Sequence, residues 1–548
     1  MASRSEASVK RLTLIACILG SAVAFIDGTV VNVALPTIQR ELGGGLAGQQ
    51  WIVNGYLLAL GSLILVGGSL GDLYGERRVF ALGVSGFGVA SLLCAVAPSV
   101  GFLVGARALQ GVASALLTPA SLAVIVNTFD ESERGAAIGM WTAWGTISTA
   151  IGPLVGGELL AVASWRWIFL INVPFVIACL VLVLAVVPKS APRAAAARRI
   201  DAPGALLGAA GLAGIVFALI EQPRLGWSSL GVMGPLIGGA AALVLFTIYE
   251  ARTSDPMLPL RLFARRNFAA GNIETFSMYA GLSILFFFLV LFLQQIGGYS
   301  PLKSGLATLP TSVVMFALSR RFGALADRFG PRLFMGVGPL VCAVGLLLFQ
   351  RVGADVNYFG DVLPALVIFA LGLTITVAPL TAAVLAGASG PDAGIASAVN
   401  NAVARVAGLI GTAAVGAAIA ASFASNLDRR LAAANLGPQA SAAVNAAKRL
   451  PLGRPDVHTL APAPAHAITR AAEAASVHSF HVGMMIAAVL LAVGGIVGLA
   501  GIRNARGPVD AVDCGPGQIV GTGRGVVERS DCEPPKLLPE AAGVAGGS

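Results

Sequence analysis

A 548-residue chain that is 56% apolar and only 11% charged cannot cover the surface of a soluble protein, in which about 25% of residues are charged. Its formal net charge of +9 does not mark a nucleic-acid binder, because the basic residues gather in short clusters between apolar stretches and form no single patch. What remains is a polytopic membrane protein, and apolar runs of helical length make it all-α.

A spanning helix needs about 20 mostly apolar residues. In chain order the sequence offers fourteen such stretches: 12–34, 50–70, 79–97, 101–126, 136–161, 167–187, 203–221, 230–249, 268–293, 303–322, 333–350, 362–386, 394–421 and 480–502. The first contains Asp27, runs into Asn32 and Pro36 and has no small-residue cleavage site, so it reads as a spanning helix and not as a signal peptide. The loop charges test the count. With the N-terminus inside, the clusters Lys10-Arg11, Arg77-Arg78, Arg265-Arg266 and Arg320-Arg321 all fall inside. The short outer loops carry only Arg40, Arg166, Arg224, Lys303 and Arg351. One helix more or fewer in the middle would scramble this bias, which predicts a cell (inner) membrane protein with both termini cytoplasmic.

Segment 422–479 is Ala-rich and polar, and is expected outside as one or two short amphipathic helices. Residues 503–548 lack apolar periodicity and are expected to be a disordered cytoplasmic tail. Of the six cysteines, Cys17, Cys94, Cys179 and Cys342 lie in apolar stretches, and Cys514 and Cys532 in the tail. Their spacing suits neither a disulfide framework nor a metal site, so no metal is expected.

One motif occurs twice. Gly68-Ser69-Leu70-Gly71-Asp72-Leu73-Tyr74-Gly75-Glu76-Arg77 returns as Gly323-Ala324-Leu325-Ala326-Asp327-Arg328-Phe329-Gly330-Pro331-Arg332, at a constant offset of 255. Both copies join consecutive helices on the inner side, so helices 2–3 and 10–11 occupy equivalent positions. Two six-helix halves follow, with helices 7 and 8 between them. The expected domains are a cytoplasmic N-terminus (1–11), an N-terminal bundle (12–187), linkers with two inserted helices (188–266), a C-terminal bundle (267–502) and the tail. In each copy glycine permits a tight turn, the Asp can accept backbone donors at a helix start, and Arg77, Arg78 and Arg332 sit at the headgroups. A single copy reads equally well as a topogenic loop; two copies point to a symmetric gating element.

The repeat resembles the cytoplasmic loop motif of the major facilitator superfamily. Asp27-Gly28-Thr29-Val30-Val31-Asn32-Val33-Ala34-Leu35-Pro36 resembles the helix 1 signature of its fourteen-helix drug:H⁺ antiporter branch. Arg107-Ala108-Leu109-Gln110-Gly111 is similar to the helix 4 motif, and Gly152-Pro153-Leu154-Val155-Gly156-Gly157 to the antiporter motif of helix 5. Trp165-Arg166-Trp167-Ile168-Phe169-Leu170-Ile171-Asn172-Val173-Pro174 is similar to the segment that follows. Leu73 and Glu76 stand where that family usually has basic residues. The resemblance implies the major facilitator fold, two six-helix bundles plus two inserted helices. It also implies that the helix 5 element seals the half-interface against proton leak, and that Arg107 serves proton coupling.

Five charges lie inside predicted helices: Asp27, Arg107, Glu158, Glu274 and Arg405. Each costs about 2.5–3.5 kcal/mol at a helix centre, so such residues face the bundle interior and mark pathways or structural ion pairs. Asp27 is too deep to snorkel. Balanced between burial and a nearby cation, it can take a proton on one side and release it on the other. Arg107 stays charged and can only tune an acid or hold a proton path. Glu274 is open between a substrate-cation or second proton site and an interfacial charge. Glu158 is open between the pocket entrance and the interface, and Arg405 between an interhelix bond and a substrate contact. Asn32 and Gln110 are further candidates for the substrate or second proton site. Phe25, Tyr56, Trp141, Trp144 and the run Phe286-Phe287-Phe288 are candidate pocket aromatics.

The expected partners are small amphipathic substrates, protons and the lipid bilayer, with no nucleic acid; an adaptor is not legible. No phosphate-cradling loop, H-E-x-x-H helix or nucleophile elbow is present. An enzyme is therefore not expected, nor any cofactor besides a driving proton gradient. The expected function is proton-coupled multidrug export by alternating access; the alternative is a dedicated exporter of one endogenous metabolite, antibiotic or lipid.

Overall fold

The computed structural model describes residues 6–188, 201–386, 393–432, 434 and 436–504. The expected disordered tail lies, but for its first two residues, outside the described residues. The elements are α1 (Glu6–Leu42), α2 (Gly45–Tyr74), α3 (Glu76–Ala95), α4 (Val100–Thr128), α5 (Glu131–Val162), α6 (Trp167–Leu170), α7 (Asn172–Ala185), α8 (Ala202–Leu225) and α9 (Leu230–Arg252). They continue with α10 (Arg266–Gln295), α11 (Pro301–Phe329), α12 (Pro331–Leu348), α13 (Leu363–Ala386), α14 (Ala393–Leu431), α15 (Pro438–Ala447) and α16 (Pro462–Gly501). Among the described residues, fourteen helical spans are long and apolar enough to cross a membrane, with α6 and α7 forming one of them. Local chemistry sets several starts. Ser99, Asp201 and Ser300 each accept a backbone N–H three residues on, satisfying donors that a helix N-terminus leaves open.

The 255-residue offset reappears in three dimensions. In the N-terminal half α1 packs on α5 and α7, α2 on α4, and α3 on α4 and α7. In the C-terminal half α10 packs on α14 and α16, α11 on α13, and α12 on α13 and α16. The halves meet through another matched pair, α5 with α11 and α14 with α2, and through α1 with α10. The inserted hairpin α8–α9 leans on α2 and α14 through α8.

Both copies of the loop motif turn at glycine with positive φ, 90° at Gly75 and 82° at Gly330, a region costly for other residues. The arginine two residues on then reaches back to the last helix of its own half. Arg77 Nη2 donates to Leu184 O at 2.6 Å, and Arg332 Nε donates to Leu499 O at 2.7 Å. Each caps carbonyls that a helix C-terminus leaves open.

The segment beyond α14 differs from expectation. Among the described residues, α15 is the single separate short helix; the rest of the helical structure is continuation of α14 and α16 past their apolar stretches. Alanine has the highest helix propensity and carries both helices onward. Phe423, Leu427, Val444, Ile468 and Ala472 then form a small apolar cluster.

Candidate functional site

Two sites emerge, one on each side of α1. The first is a cavity of about 1150 Å³ between the halves. It runs from Val33, Pro153 and Val290 at mid-bundle to Asp72, Asn127 and Asp255 at the end bearing the Gly75 and Gly330 loops. At the opposite end the halves close on each other. A Cβ on Gly157 would stand 2.5 Å from Leu302 Cα, and one on Gly305 2.6 Å from Pro153 O. Gln50 Nε2 donates to Thr412 O at 2.6 Å, and Gln294 Nε2 to Val33 O at 2.9 Å. The turn Pro451–Gly453 is buried at this end, with Leu452 at φ 64° inside the core cluster that joins both halves.

The helix 5 element divides its work by helical face. Gly156 leaves room for Val30 of α1, where a Cβ would meet Val30 Cγ2 at 2.5 Å, and Gly152 likewise faces Thr29. Pro153 and Gly157 face α11 across the interface. One short motif therefore packs α5 on its own half and against the other half.

Phe25, Trp141, Phe286 and Phe287 line the cavity, with Phe25 and Trp141 edge to face at 6.3 Å. Asn32, Thr311 and Arg405 supply polar lining. Asn32 Oδ1 and Thr311 Oγ1 have no hydrogen-bond partner among the described residues. Arg405 is the single cationic side chain among the described lining residues, whereas Asp72, Glu76, Asp201 and Asp255 are acidic.

The second site is a buried polar network inside the N-terminal half. Asp27 is 0% and Arg107 1% exposed, and Arg107 Nη1 donates to Asp27 Oδ2. The same Nη1 donates to Gln110 Oε1 at 2.6 Å, and Nε donates to Ile52 O at 3.2 Å. Gln110 Nε2 donates to Asp27 Oδ1 and to Ser91 Oγ, both at 2.9 Å. Asn172 Nδ2 donates to Asp27 Oδ1 at 3.3 Å. The Tyr56 ring stacks 4.4 Å from the Arg107 guanidinium. Asp27 does not line the cavity, while its neighbours Gly28 and Thr29 do. At 100° per residue, α1 turns Asp27 into the bundle and the next residues into the cavity.

The other candidate residues divide between the cavity, the Asp27 network, the core and the surface. Gln110 belongs to the Asp27 network and does not line the cavity. Tyr56 packs on Arg107, Phe288 is core, and Trp144 lies outside the cavity lining. Glu158 is exposed and off the cavity. Glu274 is neither interfacial nor in the cavity. It is 0% exposed, both carboxyl oxygens lack partners among the described residues, and Oε2 lies 2.9 Å from where a Cβ on Gly498 of α16 would be. Gly68 and Asp72 line the cavity, and Arg78 is exposed. The side chain of Asp327 lies outside the described residues. Ser91 carried no signal in the sequence, whereas Asn172 sits in a segment already singled out there.

A family model described as Major Facilitator Superfamily matches residues 17–412. The puromycin resistance protein pur8 of Streptomyces alboniger is 38% identical over 404 residues, covering 73% of this chain and 80% of that protein. The tetracenomycin C resistance and export protein of Streptomyces glaucescens is 34% identical over 439 residues, covering 79% and 80%. The crystal structure of a bacterial homologue of the human lysosomal transporter Spinster superposes with a TM-score of 0.58 at 18% identity. It covers 92% of this chain and 100% of that one, and shows the shared fold.

Proposed function

We propose that this chain, which belongs to the major facilitator superfamily, is a proton-coupled exporter of small amphipathic or cationic compounds working by alternating access. The loop charges orient it in the cell membrane with both termini cytoplasmic. In that orientation the cavity opens to the cytoplasm and the Gly157–Leu302 contact seals the outside. The observation that carries the reading is α1 itself, with Asp27 on its bundle face and Gly28, Thr29 and Asn32 on its cavity face. A proton arriving at Asp27 breaks the charge balance with Arg107 and shifts α1. A substrate in the cavity biases the same helix from the other side. Both ligands then act on one two-state element, and coupling is reciprocal.

The test is proton release on substrate addition to purified protein, paired with efflux from energised cells. Asp27→Asn holds residue 27 in a neutral form, as if permanently protonated, so it should abolish uphill efflux and the pH dependence of substrate binding while insertion stays normal. Uphill, uncoupler-sensitive export by Asp27→Asn would move the carrier elsewhere, with Glu274 next.

A dedicated exporter of one compound is the second reading. It is favoured by relatives whose names each specify one antibiotic. The large, mostly apolar cavity favours a broader range. Susceptibility of overproducing cells to a panel of unrelated dyes and antibiotics separates the two.

A further inference from the structure

Two carboxyl groups meet at the base of the inserted hairpin, remote from the Asp27 network. Asp201 caps α8, its Oδ1 accepting the Gly204 N–H at 2.8 Å, and Met257 N lies 3.4 Å from Oδ2. Glu250, in the last turn of α9, is 2% exposed, and its Oε2 accepts the Leu258 N–H at 2.9 Å. Its Oε1 is buried and has no hydrogen-bond partner among the described residues. That oxygen points at Asp201. A Cβ on Gly204 would stand 2.6 Å from Glu250 Oε1 and closer still to Asp201 Oδ2. The two oxygens thus share the space over a bare glycine Cα. Three of the four carboxyl oxygens face backbone donors, and the fourth faces another acceptor. Two carboxylate acceptors brought this near one another repel unless a hydrogen lies between them.

We propose that Asp201 and Glu250 form a proton-binding site, holding one proton between Asp201 Oδ2 and Glu250 Oε1. The proton turns the repulsion into a charge-assisted hydrogen bond. It clasps three pieces of chain: the start of α8, the end of α9 and the turn 256–258 that leads to α10. Asp201, Asp255 and Met257 line the open mouth of the cavity, so the clasp fixes part of its rim. Among the described residues, the charged groups on the elements around it offer no competing cation at the pair. Arg252 and Asp255 are exposed, Glu221 and Arg224 pair with each other at the far end of α8, and Asp72 of α2 and Arg405 of α14 line the cavity. Arg261 and Arg265 lie on the chain running to α10. Loss of the proton leaves two adjacent negative charges and frees the rim.

Infrared spectroscopy of the full-length protein in lipid nanodiscs, titrated with pH, tests this. The wild type should show a carboxylic-acid C=O band at neutral pH that disappears as pH rises. Glu250→Gln and Asp201→Asn should each remove that same band, because an amide N–H replaces the shared proton in either variant. Thermal unfolding gives a second readout. Wild-type stability should fall as pH rises through the band's midpoint, and Glu250→Gln should not show that fall. No such band in the wild type overturns the proposal, whatever the variants do. So does a band that survives in Asp201→Asn, or one that magnesium ions abolish at constant pH, which would put a metal cation between the carboxylates.

Discussion

Asp27 and Arg107 are each buried and each dependent on the other. Breaking a buried pair by removing one partner strands a charge and costs about 3–5 kcal/mol. Arg107→Met is expected to lower stability by that order in thermal unfolding of the detergent-solubilised protein. Adding Asp27→Asn should recover most of the loss, since no charge is then stranded. Simple additivity of the two variants would show that they do not share one pair. Arg107→Lys keeps the charge but loses the fork that reaches Asp27, Gln110 and the Ile52 carbonyl together. It should cost less stability while still impairing the proposed exchange of protons for substrate. The two ends of this pair were legible because a charge in an apolar run stands out. Gln110 was singled out as a candidate for the substrate or second proton site, but its hydrogen bonds to Asp27 and Arg107 depend on how α4 packs on α1, which spacing does not show. Ser91 was not, because a serine in a membrane helix marks nothing by itself. Glu274 stood out as a charge, but which way it faces was hidden, since α10 is apolar on almost every side and its periodicity names no buried face.

At the scale of elements, the helix 5 motif explains why one end is shut. Its glycines set how closely α5 approaches α1 and α11. Gly157→Leu places a branched side chain where Leu302 Cα now stands 2.5 Å away, so the outer seal cannot form. A cysteine at Asn32, which lines the cavity, should then react with an impermeant thiol reagent added to intact cells. With Gly157 in place it should be protected. Equal labelling in both backgrounds would mean that this contact is not the seal. The turn–helix boundaries of α14 to α16 were the least legible part of the chain. Hydropathy locates where a helix leaves the bilayer, and alanine continues the helix beyond that point without any apolar signal. The exposed Ala463, at the start of α16, tests orientation as well. A cysteine there should be labelled in intact cells, and labelling only after lysis would reverse the assignment of sides.

At the scale of the molecule, a ten-residue motif repeated at an offset of 255 was enough to pair the halves helix by helix, because equivalent helices make equivalent contacts. The conformation was not legible, since open and closed states share one sequence and differ only in which inter-half contacts are made. The cavity that results has a charge pattern with a consequence for substrate choice. Asp72, Glu76, Asp201 and Asp255 stand towards its mouth, and Arg405 is the single cation among the described lining residues. Acidic groups at a mouth between low-dielectric walls concentrate cations and can raise association rates by about tenfold or more. Bulk salt screens this beyond about 8 Å at physiological ionic strength. An amphipathic cationic dye should therefore bind on the order of tenfold faster at low than at high salt, in stopped-flow fluorescence, and a neutral dye of the same size should not. Asp255→Asn, at an exposed rim position, should flatten the salt dependence without altering the depth of the pocket. Arg405→Gln should act in the opposite sense, tightening the cation and weakening an anionic analogue, because it removes the one positive group that repels the first and holds the second. Cationic and neutral dyes that bind at equal, salt-insensitive rates would show that the rim does not select by charge, leaving shape and apolar surface as the basis of recognition.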